Sequence, residues 1–293
     1  MKFLFYIVDA NWKYGGTMVL HELSKILSDL GEDVYLTVTN AKFPENNSKI
    51  INQNEAMQLA AADDCVTIYP EIVYGNPFCA KNVVRWVLYY PGGHGMGDTI
   101  YDESEYVFTY YNKYVENTIY EKSPSLMVFK SHLDKFYDNN TERKYDAVLL
   151  KKGQFRNLDE VKAKFYEPYM NIMNKQILNF DDVMRDVARP EQLNAILNEI
   201  RYFVSFDQDT YHNVLAALCG CISVVIPVDG IDDRAWKTKC EFFSYGIAYG
   251  FDDLHWAFKT QSKTRQHIQN LEQKNITFAQ NFINLTKQKW NIH

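Results

Sequence analysis

This sequence lacks the marks of several common chemistries. It has no G-x-G-x-x-G, so the dinucleotide fingerprint is missing, and no G-x-S-x-G elbow of a Ser-His-Asp hydrolase. Its five cysteines show no paired metal spacing. Cys219-x-Cys221 spans a helix end and a strand start, poor geometry for joint zinc ligation. Free, buried thiols in a reducing compartment are the expectation. No apolar run reaches the roughly 18 residues a membrane helix needs. MKFLFYIV resembles the start of a signal peptide, but Asp9 cuts its apolar stretch short. The net charge of −6 argues against nonspecific nucleic-acid binding, which needs a basic surface. Four Asn-x-Ser/Thr sequons, at Asn46, Asn139, Asn275 and Asn284, read as chance in an Asn-rich chain. A cytoplasmic protein is expected, with peripheral contact at the inner face of a membrane left open because the tail could lie on a surface.

What is present suits an ordinary globular protein with ample core. The 293 residues are 46% hydrophobic and 23% charged, long for one domain and comfortable for two. Aromatic residues are abundant, with 21 Tyr and 18 Phe. Most are expected to pack, because Tyr buries its ring and leaves its hydroxyl wet. A carbohydrate-stacking surface is the rarer use.

The chain reads as two α/β halves. The first opens with a strand over Lys2–Val8, a loop, and a helix over Thr17–Leu30 whose leucines fall on one face. Gly31 stops that helix, and Asp33–Val38 makes the next strand. This βαβ unit implies a parallel sheet. Further strands are expected at Val66–Tyr69, Asn82–Tyr90, Tyr106–Thr109 and Leu126–Phe129. The polar stretch Asp138–Lys144 suits a linker. The second half restarts with a strand over Tyr145–Leu150 and a helix over Leu158–Met173. Gln176–Leu178 and a helix over Pro190–Glu199 follow. YFVSFDQDTYHNVLAALCGCISVVIPVDG, from Tyr202 to Gly230, then reads as strand, polar turn, compact helix and strand. The tail from Ser262 to Trp290 reads as one or two amphipathic helices. A cleft between the two domains is the default ligand site.

Four segments carry candidate chemistry. Gly15-Gly16, just before the first helix, would let backbone N–H groups approach an anionic ligand. An ordinary strand-to-helix turn is the bland alternative. Pro91–Asp98 holds four glycines, including Gly93, around His94. Such loops form lids, and His94 suits a general base or hydrogen-bond donor. Lys151-Lys152, at the end of a strand, would hold a diphosphate or sit as a solvated basic turn. The turn with Asp207, Asp209, Thr210 and His212 lies at the carboxyl end of a strand, where open α/β sheets bind ligands. Asp209 or Thr210 is expected to cap the following helix and Gly220 to end it. Asp207-Gln208-Asp209 also matches a D-x-D metal pattern, the lesser reading for so short a motif. The Asp-Asp pairs at 63–64, 181–182, 232–233 and 252–253 are expected on the solvated surface.

Two stretches give the chain a family likeness. YGGTMVLHELSKILSDLGEDVYLTV and VSFDQDTYHNVLAALCGCISVVIP resemble the N-terminal glycine loop and the donor-site strand–helix–strand of bacterial GT-B glycosyltransferases. The likeness is to the family 4 type that builds surface polysaccharides. Together the two stretches cover about a sixth of the chain. The resemblance implies an α/β fold, with two Rossmann-like domains facing across a cleft and a C-terminal helical tail. Residues 1–137 would form the acceptor-side domain, 138–261 the donor domain, and 262–293 helices packing across both. It implies a nucleotide-sugar donor, a glycan or lipid-linked acceptor, and no required metal or cofactor. Lys151, Lys152, Asp207, Asp209, Thr210 and Asn213 would hold the donor. Gly15, Gly16 and Gly93 would line the acceptor side, with His94 and Asp9 as base or orienter. The family's E-x7-E pair is altered: Asp207 stands for the first acid and Leu215 for the second. That departure keeps open an inactive GT-B-like relative that binds a sugar nucleotide or a partner. A sugar-nucleotide epimerase is disfavoured by the missing glycine fingerprint.

Overall fold

The computed structural model describes residues 1–7, 9–37, 42–93, 95–150, 157–173, 175–239 and 241–292. It divides into two compact units, Met1–Lys130 with Leu271–His293, and Ser131–Asn270.

Unit 1 contains β1 (Lys2–Phe5), α1 (Gly15–Asp29), β2 (Asp33–Leu36), β3 (Lys49–Ile50), α2 (Gln53–Ala60), β4 (Cys65–Pro70), β5 (Asn82–Val87) and β6 (Tyr106–Thr109). The strands are all parallel, in the order β3-β2-β1-β4-β5-β6. Strand order reverses between β1 and β4, and α/β sheets bind ligands outside the carboxyl ends at such a reversal. Every residue of β4 and β5 is buried, as expected of parallel strands covered on both faces. On α1 the spacing of Leu20, Leu23, Ile26 and Leu27 makes one buried stripe, and Gly31 at φ +90° ends the helix.

The last helix belongs to this unit. Its Phe282 ring lies 5.5 Å from Phe3 of β1 and 4.9 Å from Phe108 of β6. Buried Asn275, at the start of that helix, accepts from the Phe129 N–H at 3.3 Å and donates to the Phe129 carbonyl at 2.7 Å. Asn46 is buried as well, its amide donating to Ser24 Oγ at 2.8 Å. Two of the four sequons are thus interior hydrogen-bonding residues.

A fully buried arginine ties the loops of unit 1 together. Arg85 of β5 grips Glu105 with Nε and Nη2 at 2.9 and 3.0 Å, and donates to the carbonyls of Val73 and Gly75. Its guanidinium also lies over the Tyr69 and Tyr101 rings. A buried charge survives only when paired and hydrogen-bonded in this way.

Unit 2 contains β7 (Tyr145–Leu149), α3 (Leu158–Phe165), β8 (Gln176–Asn179), α4 (Phe180–Asp186), α5 (Pro190–Asn198), β9 (Ile200–Ser205), α6 (His212–Leu218), β10 (Ile222–Val225), α7 (Asp233–Lys239) and β11 (Ile247–Tyr249). Its parallel strands run β11-β10-β9-β7-β8, the other common doubly wound order, with the reversal between β7 and β9. Helices α8 (Leu254–Gln273) and α9 (Asn275–Trp290) complete the chain.

Several elements differ from the sequence expectation. β1 and β5 stop at Phe5 and Val87 rather than running to residues 8 and 90. The helix expected over 158–173 ends at Phe165, and a 3-10 turn follows over Glu167–Tyr169. Pro168 cannot donate to that helix ladder and ends it. Leu126, Val128 and Phe129 are buried, but the stretch forms no strand; a bridge between Thr109 and Ser125 joins it to β6. The stretch Asp138–Lys144 is bound into unit 2. Arg143 donates to the carbonyls of Leu197, Ile200 and Cys219 and to the Asp138 carboxylate. The division itself falls at 130/131 and 270/271.

Candidate functional site

In unit 1, α1 starts at Gly15 with no side-chain cap and no acid in its first turn. The first N–H groups of any helix have no intrahelical partner. Neither glycine has a positive φ, and no protein atom lies within 4 Å of where a Gly15 side chain would begin. At Gly16 the nearest is Leu88 Cδ1, at 3.6 Å. The fold would accept alanine at both positions, so internal packing does not require glycine there. Both glycines are exposed, and Asp9 stands half-buried between β1 and this turn.

The Gly-rich loop after β5 is a different kind of glycine segment. A side chain on Gly97 would start 1.8 Å from the Glu71 carbonyl oxygen, and one on Gly93 would start 2.8 Å from that of Tyr90. Asp98 accepts from the Gly75 N–H at 2.7 Å, and the Tyr74 hydroxyl donates to the Gly95 carbonyl at 3.2 Å. Gly92, Gly95 and Gly97 all have positive φ, and the close approach at Gly97 sets this loop against the loop after β4. His94 lies outside the described residues.

In unit 2 the strand reversal brings the end of β7 beside the end of β9. Lys151 and Lys152 follow β7 in sequence but lie outside the described residues. The turn after β9 closes on itself. Ser205 Oγ donates to the Asp207 carbonyl at 2.7 Å, and Asp207 Oδ1 accepts from the Asp209 N–H at 3.0 Å. Thr210 Oγ1 meets His212 Nδ1 at 2.8 Å. Asp207 and Thr210 are buried, whereas Asp209 is half-buried. Asn213 is fully buried, with its Oδ1 accepting from Ser223 Oγ on β10 at 3.3 Å.

α6 spans His212–Leu218, and Tyr211 before it already has helical backbone angles; Thr210 Oγ1 accepts from the His212 N–H at 3.4 Å, the capping contact expected of Asp209 or Thr210. Gly220, at φ +81°, follows the end of α6. Leu215, where the resemblance has the second acid, is buried.

Other residues build this edge without having been singled out. Asp181, expected on the solvated surface, accepts from the Leu150 N–H at 2.8 Å and anchors the exit of β7. Asn179 accepts from the Asp181 N–H at 3.1 Å and so fixes that carboxylate. Trp236 is stacked between Phe243 and Tyr249, and its indole donates to the Gln208 carbonyl at 3.3 Å. Asp253 likewise works inside the edge, accepting from the Tyr249 N–H at 3.0 Å and pairing with Lys237 at 2.6 Å. An Asp-Asp pair carries no sequence signal of which carboxylate turns inward. A cavity of about 300 Å³ opens beside β7 and β8, lined in part by Val148, Leu150, Lys162, Tyr166, Asn179 and Phe206. That volume is at the low end for small-molecule sites.

Among the described residues, no group of three or more His, Cys, Asp or Glu could hold a metal. Burial pushes the Cys65 and Cys219 thiols up to about 12, and Cys221 well up, so none is a thiolate near neutral pH. Cys79 is exposed, against the expectation of burial, and Cys240 lies outside the described residues. No helix among the described residues is long and apolar enough to cross a membrane.

No family model matches the chain, and no curated protein matches it. Solved structures do. Sucrose-phosphate synthase from Thermosynechococcus elongatus is 10% identical with a TM-score of 0.51, over 100% of this chain and 99% of that one. The glycosyltransferase SnogD from Streptomyces nogalater is 12% identical over 98% and 99%, with a TM-score of 0.44. The second likeness is too loose to argue from. The fold is α/β, with two Rossmann-like parallel sheets and a C-terminal helix, of the GT-B type. At 10% identity the likeness fixes the fold alone.

Proposed function

We propose that the chain is a glycosyltransferase that moves a sugar from a nucleotide-sugar donor to a glycan or lipid-linked acceptor, in the synthesis of a surface polysaccharide. The observation that carries the reading is the strand reversal between β7 and β9. The sequence attaches Lys151-Lys152 to one of those strand ends and Asp207–Thr210 to the other. α/β sheets bind phosphate-bearing ligands at this place. The GT-B fold and the cavity beside β7 support the same reading.

In the transfer, the acceptor hydroxyl oxygen bonds to the anomeric carbon while the bond from that carbon to the diphosphate oxygen breaks. The electron pair leaves with the nucleoside diphosphate, and the hydroxyl proton passes to a base, for which Asp9 and His94 are the candidates. Lys151 and Lys152 take up the leaving charge. The half-buried Asp209 contacts the donor sugar, while buried Asp207, Thr210 and Asn213 hold the turn that presents it. The helix start at Gly15 and Gly16 offers backbone N–H groups to an anionic group of a substrate. The reaction proceeds without a resident metal, so turnover persists in chelator.

The test is a thermal-shift screen against a panel of nucleotide sugars, followed by transfer and hydrolysis assays. A ligand that binds the folded state raises the melting temperature. If no nucleotide sugar does so, the reading fails. A second reading, a catalytically silent sugar-nucleotide binder, is favoured by buried Leu215 in place of the second acid. Binding without any transfer or hydrolysis would select it.

A further inference from the structure

Unit 2 holds a cavity to which the transfer steps assign no part of the donor. It measures about 300 Å³ and lies beside β7 and β8. Val148, Leu150 and Phe206 give it apolar walls, and the Tyr166 ring meets Phe206 edge-on at 5.8 Å. Apolar and aromatic walls suit a flat ring, and the volume is at the low end for small-molecule sites. The walls reach both strand ends at the reversal: Leu150 immediately precedes Lys151 in the sequence, and Phe206 immediately precedes Asp207.

Two polar side chains of the lining offer donors. Lys162 of α3 is half-buried and has no ion pair or hydrogen bond of its side chain among the described residues, whereas Lys164, two residues on, pairs with Asp229 at 2.5 Å. Asn179 caps α4, its side chain accepting from the Asp181 N–H at 3.1 Å. A backbone N–H can only donate, so the atom that faces it is the amide oxygen. That leaves the amide nitrogen of Asn179, with its two N–H donors, for a ligand. The Tyr166 hydroxyl can donate or accept, and the open edge of β8 presents both N–H and C=O groups, so neither discriminates.

We propose that this cavity seats the base of the donor nucleotide and that Lys162 and Asn179 select guanine. The inference rests on the glycosyltransferase reading and names the nucleotide class within it. Guanine sets two acceptors, O6 and N7, side by side on one edge, and lysine is among its commonest partners there. Adenine and cytosine place an amino donor on that edge, which would meet donors. The usual pairing of asparagine with adenine needs the amide oxygen as well as the nitrogen, and here the oxygen serves the cap of α4. Uracil offers O4 alone on that edge, one acceptor for two donor groups.

The experiment measures binding of GDP, UDP, ADP and CDP to the full chain by calorimetry, together with 7-deaza-GDP, which carries a C–H in place of N7. GDP should bind about tenfold or more tighter than the other three, and loss of N7 should cost about tenfold. Asn179→Asp keeps the oxygen that caps α4 and removes the donor, while Lys162→Met keeps the apolar stem and removes the charge. Each should lower GDP affinity about tenfold and shrink its margin over ADP. An unchanged melting temperature of the free variants reports that they fold. The inference is overturned if UDP, ADP or CDP binds as tightly as GDP, if 7-deaza-GDP matches GDP, or if both variants keep the parent's preference. Transfer from a UDP-sugar in preference to a GDP-sugar removes only this inference. GDP selectivity without transfer or hydrolysis leaves it standing and selects the silent binder. Binding of no nucleoside diphosphate removes it together with the donor reading.

Discussion

In unit 1 the turn after β1 delivers two exposed glycines, Gly15 with open space above it, whereas in unit 2 the turn after β9 folds polar side chains onto its own backbone and onto each other. The two units share one doubly wound scheme, and each has an arginine that binds several of its segments together. Arg85 is fully enclosed and paired with Glu105, while Arg143 lies nearer the surface and spends most of its donors on carbonyls. The contrast teaches that polar residues at a sheet edge are not by themselves a binding surface. Asp207 and Thr210 stabilise a turn, whereas packing does not require glycine at the start of α1.

The arginines give the sharpest way to break this comparison. Arg85→Ala leaves Glu105 buried without its partner, at a cost of about 3–5 kcal/mol. Arg143→Ala should cost less, about 1.5–3 kcal/mol, through lost charged hydrogen bonds. Urea unfolding of both variants would show the order, and equal losses would mean that the two hubs are equivalent. Next in size is the donor side. Lys152→Ala should weaken nucleotide-sugar binding about ten- to a hundredfold, the worth of one charged contact to phosphate. Unchanged affinity in calorimetry would remove Lys152 from the site.

Gly15→Ala tests the other edge, and its two effects should run in opposite directions. Stability should rise by about 0.5 kcal/mol, because alanine fits and lowers the entropy of the unfolded chain. Transfer should fall, because the added methyl group blocks close approach. A variant that is more stable and fully active would reduce the glycine pair to an ordinary turn. The smallest effect concerns the thiols. With Cys65, Cys219 and Cys221 buried, native iodoacetamide treatment at pH 8 should leave them unlabelled and modify Cys79, as read by peptide mass spectrometry. Rapid labelling of Cys219 would mean that the edge of unit 2 opens readily.

Much of the fold was legible because periodicity is local. The stripe on α1, the glycine at its end and the apolar strands after it announce a parallel βαβ unit without any knowledge of contacts. Some short or exposed elements were not legible. β3 has two residues, and the two-turn helix α4 carries no long apolar stripe. The position of the polar turn after β9 was readable, since strand, turn and helix follow one another in sequence. Which of its side chains face outward was not, because Asp207 and Asp209 are chemically identical and only the path of the turn separates them.

Sequence alone therefore determined the two α/β halves, the place of the polar turn at a strand end, and the glycine pair at the start of a helix. Each follows from the chemistry of neighbouring residues. Tertiary structure decided the strand orders, the inward turn of Asp181 and Asn213, the Arg85–Glu105 pair and the gathering of Tyr89, Tyr90 and Tyr114. Most of these depend on residues far apart in the chain meeting in space, and no local pattern records which distant partner a buried polar group or an aromatic ring will find.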